Sequence, residues 1–303
     1  MSSPEVSWDL NIYLRERLHL VESALDTYLP RSETLPARLH ESMRYSVFAG
    51  GKRIRPILLL AACEVVGGDI QQGLPAACAI EMIHSYSLIH DDLPAMDDDD
   101  LRRGKPTNHR MYGEDVAILA GDGLLTEAFI LLSNPDLGLE IPTEARNEAI
   151  HLLARSAGSM GMVGGQVVDM ESEGKEIDLP TLEYIHTHKT GALILAAIEC
   201  GAVLGGASQE QRRALVRYGQ SAGLAFQIAD DILDIVADQN MLGKDVGSDQ
   251  QRGKATYPAL IGLNESRKRA RELRDISFAA LDSFGDSARP LREIAGYIVD
   301  RSF

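Results

Sequence analysis

The sequence predicts an all-α protein folded as one helical bundle. Three observations carry that expectation. Apolar residues recur at spacings of three and four over most of the chain, aromatic residues make up only 5% of it, and no series of alternating strand-like runs bounded by turn dipeptides is present. With 303 residues, 45% of them apolar and 25% charged, the chain is long and apolar enough to bury a full core, which excludes intrinsic disorder. No repeat or shift of composition marks a boundary, so residues 1–303 read as a single domain with residues 1–35 as an N-terminal helix or extension.

In chain order, the helical pattern covers Ser42–Val66, Pro75–His90, Asp115–Leu132, Ala145–Glu171, Leu182–Leu204 and Gln209–Val236. Polar and glycine- or proline-bearing stretches separate the later segments: Ser133–Pro142, Ser172–Pro180, Gly205–Gln209 and Asp238–Gly253. The last is long and polar and reads as a lid loop. Gly158, Gly161, Gly164 and Gly165 do not form a dinucleotide fingerprint after a strand; they read as a small-residue stripe on a helix that lets a neighbour approach closely. No GxxxxGK[ST] phosphate loop occurs.

The formal charge is −15, from 30 Lys+Arg against 45 Asp+Glu, which argues against a nucleic-acid partner because neutralising a phosphate backbone requires a basic face. Cys63, Cys78 and Cys200 form no CxxC pair and are too few for a disulfide framework, so a reduced, cytoplasmic setting is expected. The N-terminal stretch lacks the basic-then-apolar order of a signal peptide. No run of about 18 uninterrupted apolar residues exists, so no membrane span is expected.

The placement of charge says more than its sum. Asp91, Asp92, Asp97, Asp98, Asp99 and Asp100 put six carboxylates directly after the apolar run MIHSYSLIH. Like charges emerging from a core helix repel unless cations neutralise them. Carboxylates without Cys or His ligands suit a hard cation such as Mg²⁺, which shares its shell with water and phosphate. On an ideal helix Asp91 and Asp97 sit about 120° apart, and Pro94 is the residue that distorts the helix and brings the second inward. A second cluster, Asp230, Asp231 and Asp234, follows the apolar run GLAFQIA, with Asp230 and Asp234 on one helix face. Two such clusters on core helices suggest facing walls of a metal site. Cations gather near them: Lys52, Arg53 and Arg55 at the opening of a helix, Arg102 and Arg103 after the first acidic run, then Lys189, Lys244 and Lys254. Guanidinium and ammonium groups beside Mg²⁺ are what a diphosphate requires. Arg53 and Lys105 read as surface ion-pair residues.

Together these residues resemble the trans-prenyltransferase (polyprenyl diphosphate synthase) family, in its short-chain farnesyl diphosphate synthases of bacterial type, from about Arg44 to Arg301. Gly51–Pro56 is similar to a GKRxRP motif, and Asp91–Asp97 to the longer DDxxxxD form of the first aspartate-rich motif, followed by Arg102-Arg103-Gly104. Gln166–Asp169 resembles a GQxxD element, Lys189-Thr190 a KT element, Phe226–Asp234 the FQxxDDxxD motif, and Gly243-Lys244 with Gly253–Thr256 the lid lysines. The resemblance implies the isoprenoid-synthase bundle around a central cavity, a homodimer and about three Mg²⁺ per site, with Asp91, Asp97 and Asp230 as direct ligands and Asp92, Asp231 and Asp234 as secondary ones or holders of metal-bound water. It implies that Arg102, Lys189, Thr190, Gln227, Lys244 and Lys254 bind the allylic diphosphate. Lys52, Arg55, His84 and Arg103 would bind isopentenyl diphosphate. The carbonyls of Lys189 and Thr190 and the side chain of Gln227 would face the allylic carbocation. Without the resemblance His84 reads as a core histidine; His186 and His188, at i and i+2, read as structural. Product length rests on Tyr86 and its neighbour Ser87: an aromatic five positions before Asp91 resembles the pocket floor that stops growth at C15, while small residues there accompany longer products such as C20. A class I terpene cyclase is the alternative from another class, but its second motif is usually NSE- or DTE-like where this chain has DDILD. A non-catalytic subunit would be expected to lack one aspartate motif or the lid lysines.

Overall fold

Helices follow the apolar periodicity, and they break where glycine, proline or a capping aspartate stands. The computed structural model describes residues 8–236 and 255–300. The lid stretch Asp238–Gly253, with Lys244, and Lys254 beyond it, lie outside the described residues.

Asp9 accepts from the Ile12 amide to start α1 (Leu10–Tyr28), followed by α2 (Ala37–Val47) and α3 (Ile54–Val65). Asp69 caps α4 (Ile70–Asp91) by accepting from the Gln71 amide. A two-residue hairpin, β1 (Leu101–Arg102) against β2 (Lys105–Pro106), leads into α5 (Asn108–Tyr112) and α6 (Glu114–Ser133). Then come α7 (Thr143–Ala157), α8 (Met162–Ser172), α9 (Leu179–Ile185), a π turn (His186–Thr190), α10 (Gly191–Leu204) and α11 (Gln209–Val236). The chain closes with α12 (Tyr257–Ile261), α13 (Leu263–Ala280) and α14 (Arg289–Asp300).

The core sits around α4, which packs on α3, α6 and α10, while α10 also meets α7 and α11, and α11 lies on α13. Leu74 to Met82 and onward to Ile89 bury residues on every side of α4, as a helix apolar all round must. Each fully buried Leu or Ile there contributes about 1.5–3 kcal/mol relative to exposure, so the helix that ends in Asp91 is a rigid support.

Four details depart from the expected elements. Ser42–Val66 is two helices, because Gly50, Gly51 and Arg53 take φ values of 106°, 125° and 50°. That left-handed turn drives Arg53 inward, correcting its expected place on the surface: its guanidinium is fully buried and donates to Glu81 Oε1 at 2.8 Å and to the Val47 carbonyl at 2.6 Å. Ala145–Glu171 is likewise two helices, so the four glycines do not form one stripe; Gly158 ends α7, Gly161 precedes α8, and Gly165 makes the close approach. Leu182–Leu204 is divided by the π turn. The hairpin escapes a periodicity reading because each strand has two residues; its loop residues Arg103 and Gly104 both have positive φ, 54° and 74°, as a type I′ turn demands.

One helix, α6, is long and apolar enough to cross a membrane by length and composition alone. It carries Asp122 and Glu127 within its span and packs Ala117, Ala120, Leu124 and Ala128 into the core against α4.

Candidate active site

The first acidic wall forms where α4 runs out. After Asp91 the chain folds back so that the Asp97 amide donates to the Asp91 carbonyl at 2.8 Å, with the Met96 and Asp98 amides on the Leu93 carbonyl at 2.8 and 3.1 Å. This turn, built around Pro94, brings Asp97 beside Asp91 and removes the angular separation of an ideal helix. Asp92 points the other way. It is 3% exposed and accepts from Arg102 at 2.5–2.6 Å, while Arg102 also reaches Asp99 at 3.3 Å. Burial pushes the Asp92 carboxyl up to about 6, with Arg102 opposing the rise. Arg110 holds Asp100, and Thr107 donates to the Asp99 carbonyl at 2.7 Å, fixing the rest of the run.

The second wall is α11. Asp230 and Asp234 share one face at i and i+4. Asp231 lies inward, 7% exposed, and accepts from His186 Nε2 at 3.0 Å and the Tyr257 amide at 2.9 Å. Asp92 and Asp231, the second residues of their pairs, are therefore both engaged by protein donors.

Beside the second wall runs the π turn, packed on α8, α9, α10 and α11, an insertion that interrupts a regular helix and is frequent at functional sites. Lys189 donates to Asp169 Oδ2 on α8 at 2.7 Å. The absence of a side chain at Gly165 is required here: a Cβ would lie 2.2 Å from the Lys189 amide nitrogen. His186 and His188 diverge as their spacing implies, His186 onto Asp231 and His188 stacked 3.8 Å from the Tyr184 ring. Thr190 ends the turn, and Gln227 lies half-buried on α11 four residues after Gly223, which borders Gly191 and Ile194 of α10.

A cationic pocket adjoins both. Arg55, in the first turn of α3, is half-buried, with its Nε shielded from solvent and without a hydrogen-bond partner among the described residues. Burial lowers its pKa, and the carboxylates it feels are Glu81 and Asp230, which ties this pocket to the second wall. His84 is held well below the ordinary histidine value by burial first, then by the positive charges of Arg55, Arg103, Arg102 and Arg53. Burial also lowers Arg103, which donates to the Gly50 carbonyl. Gly51 makes room for it: besides its positive φ, a Cβ there would come within 2.6 Å of Arg103 Nη1. Lys52 is exposed, its Nζ 5.7 Å from the centre of the Tyr297 ring on α14. Arg55, His84 and Arg103 thus converge, whereas the recorded contact of Lys52 is with Tyr297.

Tyr86 is 6% exposed and meets His90 edge-on at 5.6 Å; burial, then Asp91, raises its hydroxyl to about 12. His90 in turn approaches the Ile118 carbonyl of α6 at 3.0 Å, over Gly121. Ser87 donates to the His84 carbonyl at 2.9 Å. Sequence reasoning missed Glu81, the 2%-exposed counter-ion of Arg53; a single carboxylate inside the apolar run of α4 was the available signal.

Residues 36–282 match the family model described as polyprenyl synthetase. A farnesyl diphosphate synthase from Geobacillus stearothermophilus is 55% identical over 257 residues, covering 85% of this chain and 86% of that one. A geranylgeranyl diphosphate synthase from Cyanophora paradoxa is 48% identical over 303 residues and the whole of both chains. Among solved structures, an FPP/GFPP synthase from Zymomonas mobilis superposes with a TM-score of 0.85 at 40% identity, over 96% of this chain and 98% of that one. With two acidic walls, a cationic pocket and a family match of that extent, this chain belongs to the polyprenyl synthetase family.

Proposed function

We propose that this prenyltransferase condenses isopentenyl diphosphate with dimethylallyl or geranyl diphosphate and releases farnesyl diphosphate. The observation that carries the chemistry is the pairing of two carboxylate walls with a separate cluster of cationic side chains, Arg55 and Arg103 around His84. A terpene cyclase has no need of the second. The pocket of Arg55, His84 and Arg103, together with Lys52, binds the isopentenyl diphosphate through charge-assisted hydrogen bonds.

The donor set on the walls fits Mg²⁺. It is all carboxylate, which suits a hard ion whose shell is completed by water and substrate phosphate. Asp91, Asp97 and Asp230 are the holders, for about three ions. Bound there, Mg²⁺ supplies charge neutralisation to the leaving diphosphate. Lys189 and Arg102, with Lys244 and Lys254, grip the same diphosphate and orient it for departure. The carbonyls of Lys189 and Thr190 and the Gln227 side chain face the allylic cation electrostatically. The isopentenyl double bond attacks that cation, and the released diphosphate takes the proton that restores neutrality.

Tyr86 supports the C15 product, because its buried ring closes the α4 surface one and a half turns before Asp91. Relatives carrying farnesyl and geranylgeranyl names both align, so product length is decided by experiment. Purified protein with the two primers, isopentenyl diphosphate and Mg²⁺ gives mainly C15 chains, and Tyr86→Ala lengthens them; a dominant C20 product from the unaltered protein overturns the farnesyl reading. The homodimer belongs to the same proposal, supported by Ile118, Leu119 and Ile130, which leave an apolar surface on α6. So does the cytoplasmic setting, supported by three buried, unbridged cysteines.

A further inference from the structure

Asp231 occupies a position that its neighbours in the sequence do not. A single oxygen, Oδ2, accepts from His186 Nε2 at 3.0 Å and from the Tyr257 amide at 2.9 Å. A carboxylate oxygen only accepts, so His186 donates from Nε2. The His186 ring also stacks on the Tyr257 ring, centres 5.6 Å apart at 22°. Tyr257 is fully buried, and its hydroxyl donates to Glu183 Oε1 on α9 at 2.7 Å. Four elements are joined through this cluster: α9, the π turn, α11 and the start of α12. Two residues separate His186 from Lys189, and one peptide bond joins Asp231 to Asp230.

We propose that Asp231 is a positioning residue rather than a metal ligand: with His186 and Tyr257 it fixes the π turn that carries Lys189 and Thr190 at a set distance from the wall that carries Asp230. The geometry favours this over ligation. Oδ2 is already taken by two donors in a site shielded from water, where an unmade hydrogen bond costs about 1–3 kcal/mol. Turning Oδ2 toward the mouth would leave both donors unpaired, and at 7% exposure the residue leaves its other oxygen little access to an ion there. The inference deepens the prenyl-transfer reading and rests on it only for the kinetic part of its test.

Because both bonds fall on one oxygen, Asp231→Asn retains an acceptor while removing the charge; Asp231→Ala removes both; His186→Phe keeps the ring stack and removes the donor. In metal-free protein, amide exchange at Tyr257 and across residues 186–191 accelerates at least about tenfold in Asp231→Ala and stays near the unaltered rate in Asp231→Asn. This readout stands whether or not the protein transfers prenyl groups. In the assay with Mg²⁺, Asp231→Asn leaves the half-activating Mg²⁺ concentration within about twofold, and His186→Phe lowers kcat about tenfold with the allylic KM within about twofold. The His186→Phe/Asp231→Ala double variant loses no more than Asp231→Ala alone. A tenfold or larger rise in the Mg²⁺ requirement of Asp231→Asn, with the Tyr257 amide still protected, overturns the proposal and makes Asp231 a ligand. Unchanged exchange in Asp231→Ala overturns the clamp itself.

Discussion

The acidic walls and the cationic pocket handle charge in opposite ways. In each aspartate pair the second residue is matched inside the protein: Asp92 by Arg102, Asp231 by His186 and the Tyr257 amide. In the pocket, Arg55, His84 and Arg103 are left largely to one another, while Glu81, the buried carboxylate at hand, is bonded to Arg53. Matched charge holds geometry whether or not a ligand is bound. A like-charge cluster does the reverse: it is unfavourable in the free protein and is relieved by an anion. The walls are therefore anchored by the protein, whereas the pocket is completed by its substrate.

The sharpest way to break that contrast is within one pair. Asp91→Asn removes a carboxylate from the mouth and is expected to lower kcat roughly a thousandfold, as loss of a group acting on the leaving charge does. Asp92→Asn leaves an acceptor for Arg102 and is expected to cost far less. Steady-state kinetics on both variants compare them directly; equal losses would abolish the distinction between mouth and anchor.

Next in size is Arg55→Met, a replacement of similar length. Losing a charge-assisted contact worth about 1.5–3 kcal/mol raises the isopentenyl diphosphate KM by roughly 10- to 150-fold. The allylic KM changes little. Because the fold disfavours the Arg55 charge, the thermal midpoint of the substrate-free variant is expected to equal or exceed that of the unaltered protein. A clear fall in midpoint would show that Glu81 and Asp230 pay for the charge in full.

Gly165→Ala probes the contact of α8 with the π turn that lies on the second wall. Its Cβ would meet backbone, the Lys189 amide at 2.2 Å, so nothing flexible can yield. Overpacking of this kind costs about 1–3 kcal/mol, and the displaced π turn should take about tenfold from kcat. Denaturant unfolding and kinetics measure the two parts.

Much of this was legible in the sequence because it was local. The i, i+4 spacing of Asp230 and Asp234, the apolar runs before both acidic clusters and the helix-distorting Pro94 each follow from neighbours in the chain. What escaped depends on distant residues or on backbone sign. Nothing local marks Asp231, rather than Asp230, as the one that meets His186 forty-five residues away. Arg53 read as a surface cation because a left-handed turn that sends it inward has no periodic signature, only the preceding Gly50-Gly51. The π turn was equally hidden, since one added residue per turn barely disturbs the pattern of Leu182–Leu204. Gly165 was legible as a close approach, but its partner was not.

The smallest expected effect is the most specific to the pocket. In the free protein His84 is held well below the ordinary histidine value, by burial and then by Arg55 and its neighbours, so it is neutral near pH 7. That depression also means the substrate-free fold loses stability as pH falls through the ordinary histidine range, where the unfolded chain takes up a proton and the folded one does not. A bound diphosphate reverses the local sign of the field and raises His84, so binding takes up a proton. Affinity for isopentenyl diphosphate must then fall as pH rises between the free and bound values, by at most about tenfold per unit. The ligand's own phosphates titrate in the same region, so the comparison is between log KM slopes of the unaltered protein and His84→Gln: the variant should be flatter. Identical slopes would mean that His84 takes no proton with the substrate, and that the pocket is completed by its two arginines alone.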